Sequence, residues 1–394
     1  MLFISHSLEL GGAERSLIGL LWAMTKKDLQ IDLFLLRHEG ELLEAIPPHV
    51  NLLSEVPAYT ALARPMKKTL REGHILLTAA RLYGRIKAKR YVRKKQLGEN
   101  AVALEYSHKY TCRLMPQIQP NVQYDAVISF LTPHYFTAHN VKANKKICWI
   151  HTDYTRVAVD VDSEFQMWNS FDTIVAVSSA VKDGFVSVFP KLKEKVYVVE
   201  NILPEKIIRN QSNVAVASWK RKGQINLLSI GRFSTPKNFD AVPDICRRIR
   251  NKGLDVVWFL IGYGPDEALI RSKIEEYGMQ GFVVILGKKD NPYPFLKDCD
   301  LYVQPSRYEG KCVAVKEAQL LGKPVVITNY ATSASQLDDG VDGLIAPMDS
   351  EGCAEKIGEL LRDPLKLQQL SSECLSRDYS NKAEVDKAYR LFEA

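Results

Sequence analysis

Along most of the chain, short runs of apolar, β-branched residues alternate with stretches whose apolar positions recur at helical spacing. In the first half this pattern predicts strands at 2–5, 31–36, 125–131, 146–151, 173–178 and 196–200. Helices are predicted near 14–25, 70–95, 101–115, 134–141, 163–170 and 180–188. Residues 205–223, polar at Asn210, Gln211 and Ser212 and basic at Lys220, Arg221 and Lys222, read as a linker. The alternation then resumes, with strands at 225–231, 255–262, 282–286, 301–305, 324–328 and 343–346 and helices between them and from 351 onward. Strand–helix alternation implies parallel sheets joined by right-handed crossovers. Two such runs predict two doubly wound α/β domains facing each other across a cleft, with ligands at the carboxyl ends of the strands.

Length and composition agree with that division. A chain of 394 residues is long for a single core and suggests two domains of roughly 150 to 200 residues. Its 46% hydrophobic and 25% charged residues are those of a globular protein. No apolar run reaches the length of a membrane-spanning helix. The start, MLFISHSLELGGAER, passes from a short strand into a glycine turn without the features of a secretory signal, and the native start is expected at or a few residues before Met1. Seven scattered cysteines without a CxxC pair suit reduced thiols in a cytoplasmic protein. Charge is uneven. Between residues 64 and 95, twelve Lys and Arg face a single acid, Glu72, so that this segment's +11 exceeds the whole chain's +7 and leaves the remainder at −4.

The richest chemistry lies in Ser306-Arg307-Tyr308-Glu309-Gly310-Lys311-Cys312-Val313-Ala314-Val315-Lys316-Glu317-Ala318, between a buried strand and a helix. Free amides of Gly310, Lys311, Cys312 and Val313 at that helix start favour a phosphate. Glu309 and Glu317 bracket the anion and suit hydroxyls on either side of a diphosphate. Two isolated glutamates eight apart are ordinarily only a solvated pair, but further features share the same sheet edge. Gly231-Arg232, with Lys237 five residues on, offers a guanidinium fork and an ammonium for a diphosphate. Gly262 and Gly264 follow the second strand of this domain and Gly287 the third.

These motifs resemble those of the family-4 retaining glycosyltransferases, of the two-domain GT-B fold, whose signature is Glu-x7-Glu: Glu309 and Glu317 here. The resemblance extends to Arg232 and Lys237, to Gly262-Tyr263-Gly264-Pro265, and to the Gly11-Gly12-Ala13-Glu14-Arg15 loop after the first strand. It implies domains at 1–204, 205–380 and a C-terminal helix in 381–394 that crosses back to the first domain. It further implies that Glu317 holds the ribose, Glu309 the donor sugar, and Arg232 and Lys237 the leaving diphosphate. Gly11 and Gly12 would approach the phosphates, and His151, in Trp149-Ile150-His151-Thr152-Asp153, would face the transferred sugar. A histidine there is otherwise an ordinary polar strand end. The expected reaction moves a hexose or N-acetylhexosamine from a nucleotide-diphosphate sugar, UDP-linked by preference, to a lipid-linked or glycan acceptor. The resemblance is to bacterial capsule and exopolysaccharide enzymes, and it calls for no metal or other cofactor. A sugar-nucleotide 2-epimerase of the same architecture and a non-catalytic sugar-nucleotide-binding protein are the alternatives.

Other signals are weaker. Asp160-Val161-Asp162 has the form of a metal-binding DxD, yet it falls far from the diphosphate motifs, and Glu267 replaces the third glycine of a dinucleotide fingerprint. His6, His134 and His139 are cleft candidates without an assigned role. The basic segment, an insert at about 64–97, is predicted to lay an apolar stripe of Leu76, Leu77, Ala80, Leu82, Ile86 and Tyr91 on an anionic membrane. Arg81, Arg85, Lys89, Arg90 and Arg93 would meet lipid or acceptor. Nucleic acid is the competing use of such charge and is not expected here. The expected location is cytoplasmic, peripheral on the inner face of the plasma membrane.

Overall fold

The computed structural model describes every residue except Leu10, Lys27, Glu99 and Ala394. The chain forms two units, Met1–Ile202 with Lys382–Ala394, and Leu203–Asn381. The first unit runs β1 (Leu2–Ser5), α1 (Gly12–Ala23), β2 (Ile31–Leu35), β3 (Val50–Leu52), α2 (Pro57–Ala63), α3 (Met66–Arg71), α4 (Ile75–Lys95) and α5 (Val102–Thr111). It continues through β4 (Tyr124–Ser129), α6 (Tyr135–His139), β5 (Ala143–Ile150), α7 (Val161–Asn169), β6 (Thr173–Ala176), α8 (Ser179–Val188) and β7 (Val196–Val198). Its seven strands are parallel in the order β3-β2-β1-β4-β5-β6-β7.

The second unit runs α9 (Glu205–Ser212), β8 (Ile225–Ile230), α10 (Val242–Asn251), β9 (Val256–Ile261), α11 (Glu267–Glu276), β10 (Val283–Gly287), α12 (Tyr293–Asp298) and β11 (Leu301–Gln304). Then follow α13 (Val313–Leu320), β12 (Val325–Thr328), α14 (Ser333–Gln336), β13 (Leu344–Ala346), α15 (Ser350–Leu361) and α16 (Pro364–Ser376). Its six parallel strands are ordered β10-β9-β8-β11-β12-β13. Strand order reverses between β1 and β4 in one sheet and between β8 and β11 in the other, the switch points at which open α/β sheets bind ligands. Helices cover both faces, which is why β9, VVWFLI, is buried at all six positions instead of alternating. A last helix, α17 (Glu384–Glu393), packs in the first unit's core through Val385, Ala388, Tyr389 and Phe392.

Four expectations need correction. The stretch 205–223 is no plain linker: α9 belongs to the second unit, where Ile208 is buried and Asn291 Nδ2 donates to Gln211 O at 2.9 Å. Trp219 completes the packing with its ring 4.9 Å from Phe259 and 5.5 Å from Phe295. So few apolar residues buried by a single contact face leave no periodicity to read. The helix expected over 70–95 is two, broken where Gly73 takes φ +85°.

The proposed apolar stripe of α4 is also not one face. Leu77 is buried together with Gly84 and Ala88, whereas Leu76 is 72% exposed and Leu82 and Ile86 are exposed as well. The face turned to α5 is set by small residues. A Cβ on Gly84 would come within 2.8 Å of Tyr106 O, so the two helices approach through a glycine. Arg81, expected to meet lipid or acceptor, is a structural tie: its guanidinium donates to Ala61 O and Arg64 O at 2.9 Å and to Thr69 Oγ1 at 3.2 Å. These bonds satisfy the open C-terminal carbonyls of α2 and the loop after it. Arg85, Lys89, Arg90 and Arg93 are exposed.

Candidate active site

The carboxyl edge of the second sheet is built from β11 outward. Tyr302 donates to Gln304 Oε1 at 2.6 Å, Gln304 Nε2 to Ser306 Oγ at 2.9 Å, and Ser306 Oγ to Glu309 Oε1 at 2.6 Å. The first three members are buried, so this relay carries the strand's rigidity into the loop and aims the Glu309 carboxylate. Lys237, at the end of the short 3₁₀ turn Thr235–Lys237 after β8, reaches the same Oε1 at 2.5 Å and lies 3.9 Å from Cys312 Sγ. Burial works against its charge, but Cys312 and Glu309 hold the ammonium above the ordinary lysine range. Lys237 is therefore a fixed cation at neutral pH. Arg232, two residues beyond β8, is exposed, and its guanidinium makes no hydrogen bond or ion pair among the described residues.

The glycines serve the loops between these groups. A Cβ on Gly262 would sit 1.9 Å from Gly231 O, and one on Gly264 2.2 Å from Phe233 O. The loop after β9 is thereby pressed on the loop after β8, with Phe233 N donating to Tyr263 O at 2.8 Å. Gly287 has φ +72° and accepts from Gly262 N at 3.0 Å. Three loops from adjacent strands thus form one stiff floor carrying Arg232 and Lys237.

The helix start differs from expectation. Of the amides at Lys311, Cys312 and Val313, that of Cys312 is already donated to Gln336 Oε1 at 2.7 Å, and the Lys311 ammonium is turned to Ser335 O. Gly310 and Val313 keep amides with no partner among the described residues, so fewer amides are open at this helix start than the spacing suggested. Glu317 is 0% exposed on α13 and accepts from Tyr293 Oη at 2.9 Å. Spacing could place Glu317 one helical turn in from the loop, but not reveal the α12 tyrosine that holds it. Tyr293 and Gln336 are the two site residues that sequence reasoning missed, and neither lies in a recognisable motif.

In the first unit, Gly11 is the N-cap of α1 and Gly12 its first residue. A Cβ on Gly11 would meet Glu14 Oε2 at 1.9 Å, so this glycine makes room for the helix's own first-turn carboxylate. His151 follows β5, with its ring 4.8 Å from Phe130; burial lowers its pKa to about 4, so the imidazole is neutral. It belongs to a group of histidines at the carboxyl ends of β1, β4 and β5. His6 lies 5.5 Å from His108 of α5, and His134 Nδ1 sits 2.7 Å from Ser129 Oγ. His139 is apart from them, beside Lys146 and Arg113. Asp160 caps α7 by accepting from Ser163 N at 3.2 Å and also accepts from Tyr106, which accounts for the DxD-like acid without a metal.

Residues 211–374 match the family model described as glycosyl transferases, group 1. A putative colanic acid biosynthesis glycosyltransferase of Salmonella typhimurium, WcaL, is 25% identical over 174 residues, 40% of this chain and 43% of that protein. The amylovoran biosynthesis glycosyltransferase AmsK of Erwinia amylovora is 25% identical over 173 residues, 42% of this chain and 41% of its own length. The chain thus spans less than half the length of these relatives. The crystal structure of Anabaena Alr3699/HepE in complex with UDP aligns over 100% of this chain and 99% of its own, with a TM-score of 0.65 and 17% identity. The fold is GT-B, two Rossmann-like units, and the chain resembles glycosyltransferases of exopolysaccharide synthesis.

Proposed function

We propose that the chain is a retaining glycosyltransferase that moves a hexose or N-acetylhexosamine from a UDP-sugar to a lipid-linked or glycan acceptor in surface polysaccharide synthesis. The observation that carries this reading is the switch point of the second sheet, where the free Arg232 guanidinium and the Lys237–Glu309 pair stand on one glycine-stiffened floor. A UDP donor is favoured because the full-length structural neighbour was solved with UDP.

As the anomeric carbon–oxygen bond lengthens, positive charge builds on carbon and negative charge on the departing diphosphate. Arg232 and Lys237 stabilise that negative charge, and such fixed donors act most strongly where they need no reorganisation. Lys237 pairs with Glu309; an arriving diphosphate shares the ammonium and leaves the carboxylate a hydroxyl of the sugar to accept from. The acceptor oxygen attacks the face the phosphate leaves, and its proton passes to the departing phosphate oxygen. Glu317 accepts from the ribose, oriented by Tyr293. No metal or other cofactor enters these steps.

Thermal unfolding with UDP, GDP or dTDP and nucleotide release from UDP-sugars test the reading together. Saturating UDP, at a hundred times its dissociation constant, adds about 2.7 kcal/mol and raises the melting temperature by a few degrees. Arg232→Ala is expected to lower turnover about 10²–10³-fold, and chelators to leave it unchanged. Donor interconversion without release would indicate an epimerase, binding without turnover a binding protein, and no stabilisation by any nucleotide would overturn the site.

The same reading places the protein on the inner face of the plasma membrane, held by α3, α4 and α5. Exposed Leu70, Ile75, Leu76, Leu82, Tyr83, Ile86 and Leu104 lie there among the basic residues. Apolar side chains amid cations suit a lipid interface better than a nucleic-acid backbone. Each basic residue near an anionic surface contributes about 1 kcal/mol at low salt. Replacing Arg85, Lys89, Arg90 and Arg93 by Ala should therefore abolish sedimentation with phosphatidylglycerol vesicles. Equal sedimentation of the variant, or preferential binding to RNA, would rule this out.

A further inference from the structure

The loop that carries Glu309 is held from outside by one short segment, residues 332–336. Thr332 Oγ1 donates to Glu309 O at 2.7 Å, and Ser335 O accepts from the Lys311 ammonium. Gln336 does most. Its Oε1 accepts from Cys312 N at 2.7 Å and its Nε2 donates to Cys312 O at 3.2 Å, so one side-chain amide satisfies both backbone groups of one residue. The pairing fixes the amide's orientation, since only this one matches a donor to an acceptor at both ends. Gln336 is 1% exposed and Cys312 is buried, so without this side chain the Cys312 amide would be left dry and unpaired, while the carbonyl, at the N-cap of α13, would keep only its helical bond. The bonded residue is the N-cap of α13, three residues from Glu309, and its thiol lies 3.9 Å from the Lys237 ammonium.

We propose that Gln336 is a positioning residue for the donor loop: it sets the backbone at Cys312 so that the Glu309 carboxylate, the Gly310 and Val313 amides and Lys237 converge on one diphosphate. It acts through the loop, without touching the ligand. The proposal deepens the assignment of a nucleotide-sugar site to this sheet edge and rests on that assignment. Loss of this pair of hydrogen bonds frees the loop to shift, and displacements of about 1 Å at a reacting centre cost on the order of 10²-fold.

Two readouts on the full chain separate this proposal from its premise. One is UDP affinity by calorimetry. The other is the rate at which each cysteine of the second unit is alkylated, resolved by peptide mass spectrometry. In Gln336→Ala the UDP Kd should rise about 10- to 100-fold, and Cys312 should become reactive while Cys246 and Cys353, buried elsewhere in the unit, stay protected. Gln336→Glu keeps the oxygen that accepts from Cys312 N and loses the group that donates to Cys312 O, so it should fall between wild type and Gln336→Ala. If Cys246 and Cys353 react in Gln336→Ala, the unit has opened generally and the same comparison in Gln336→Glu decides. Wild-type UDP affinity with Cys312 still protected in these variants overturns the proposal. Absence of UDP binding to the wild type overturns the nucleotide assignment instead, and selective exposure of Cys312 would still establish the loop clamp.

Discussion

At the scale of single residues, the first unit stores an acid sensitivity. Burial and Arg37 lower His6 to about 4, burial and its histidine neighbours lower His134 to about 3, and burial lowers His151 to about 4. Each must be neutral in the fold but takes a proton once unfolded below about 6.5. Folded pKa values that are depressed give stability that is present above pH 6.5 and lost as pH falls toward 4. At pH 5 each group costs up to about 2 kcal/mol, an upper bound for His6 and His151, which keep a partly exposed edge. Glu164 works the other way: burial raises it to about 7, so it gains stability as pH falls through that range, by about 2 kcal/mol over the same interval. Burial also lowers His108 and raises Glu105, adding one group to each side, so the histidines still outweigh the carboxyls and the first unit should lose several kcal/mol between pH 7 and 5. Amide exchange along β5 and β8, followed across that interval, should show acceleration in β5 first; equal rates in both strands would refute it. The sequence revealed the histidines one by one, but not that the ends of β1, β4 and β5 assemble them, because adjacency across a sheet follows from strand order and not from spacing. Gln336 and Tyr293 were hidden for the same reason, since a lone polar residue carries no sign of its distant partner.

At the scale of elements, nearly every strand was legible, because a strand buried on both faces is a continuous apolar run whatever surrounds it. Helix faces were not. The α4 residues chosen for their apolarity are partly those left exposed, whereas Arg81, Gly84 and Ala88 make the contact, because close helix approach selects for small size and for bonds to open carbonyls. That yields a prediction against intuition. Gly→Ala in a helix interior ordinarily gains about 1 kcal/mol, yet Gly84→Ala should destabilise the α4–α5 pair by roughly 1–3 kcal/mol, as overpacking does. The facing atom is the backbone carbonyl of Tyr106, which cannot step aside. Gly98→Ala, with open space around it, serves as the control. Exchange rates of α4 amides measure both, and an unchanged or slowed α4 in Gly84→Ala would contradict the argument.

At the scale of the whole molecule, the division into two Rossmann-like runs was readable from the alternation alone. The boundary was less so, because α9 is too polar and too short to look like part of a domain. The second unit begins and ends at neighbouring points, with Leu203 N donating to Ser380 O at 2.9 Å. Residues 203–381 carry their own sheet and core and should fold when expressed alone. If the nucleotide assignment holds, they should also retain UDP binding; a fragment that melts without cooperativity would refute the first expectation.

The place of α17 has a consequence for how the molecule is made. Phe392 sits 6.1 Å from Phe3 and 6.1 Å from Trp149, ring to ring, in the core of the first unit, whose strands all precede the second unit in the chain. Strand β1 must therefore wait, with an apolar socket open, while the entire second unit is synthesised and folds. At about 5–20 residues per second that interval is on the order of ten seconds or more. The step most exposed to misassembly is then the docking of α17, when a ten-residue helix closes a core that β1 helps to form.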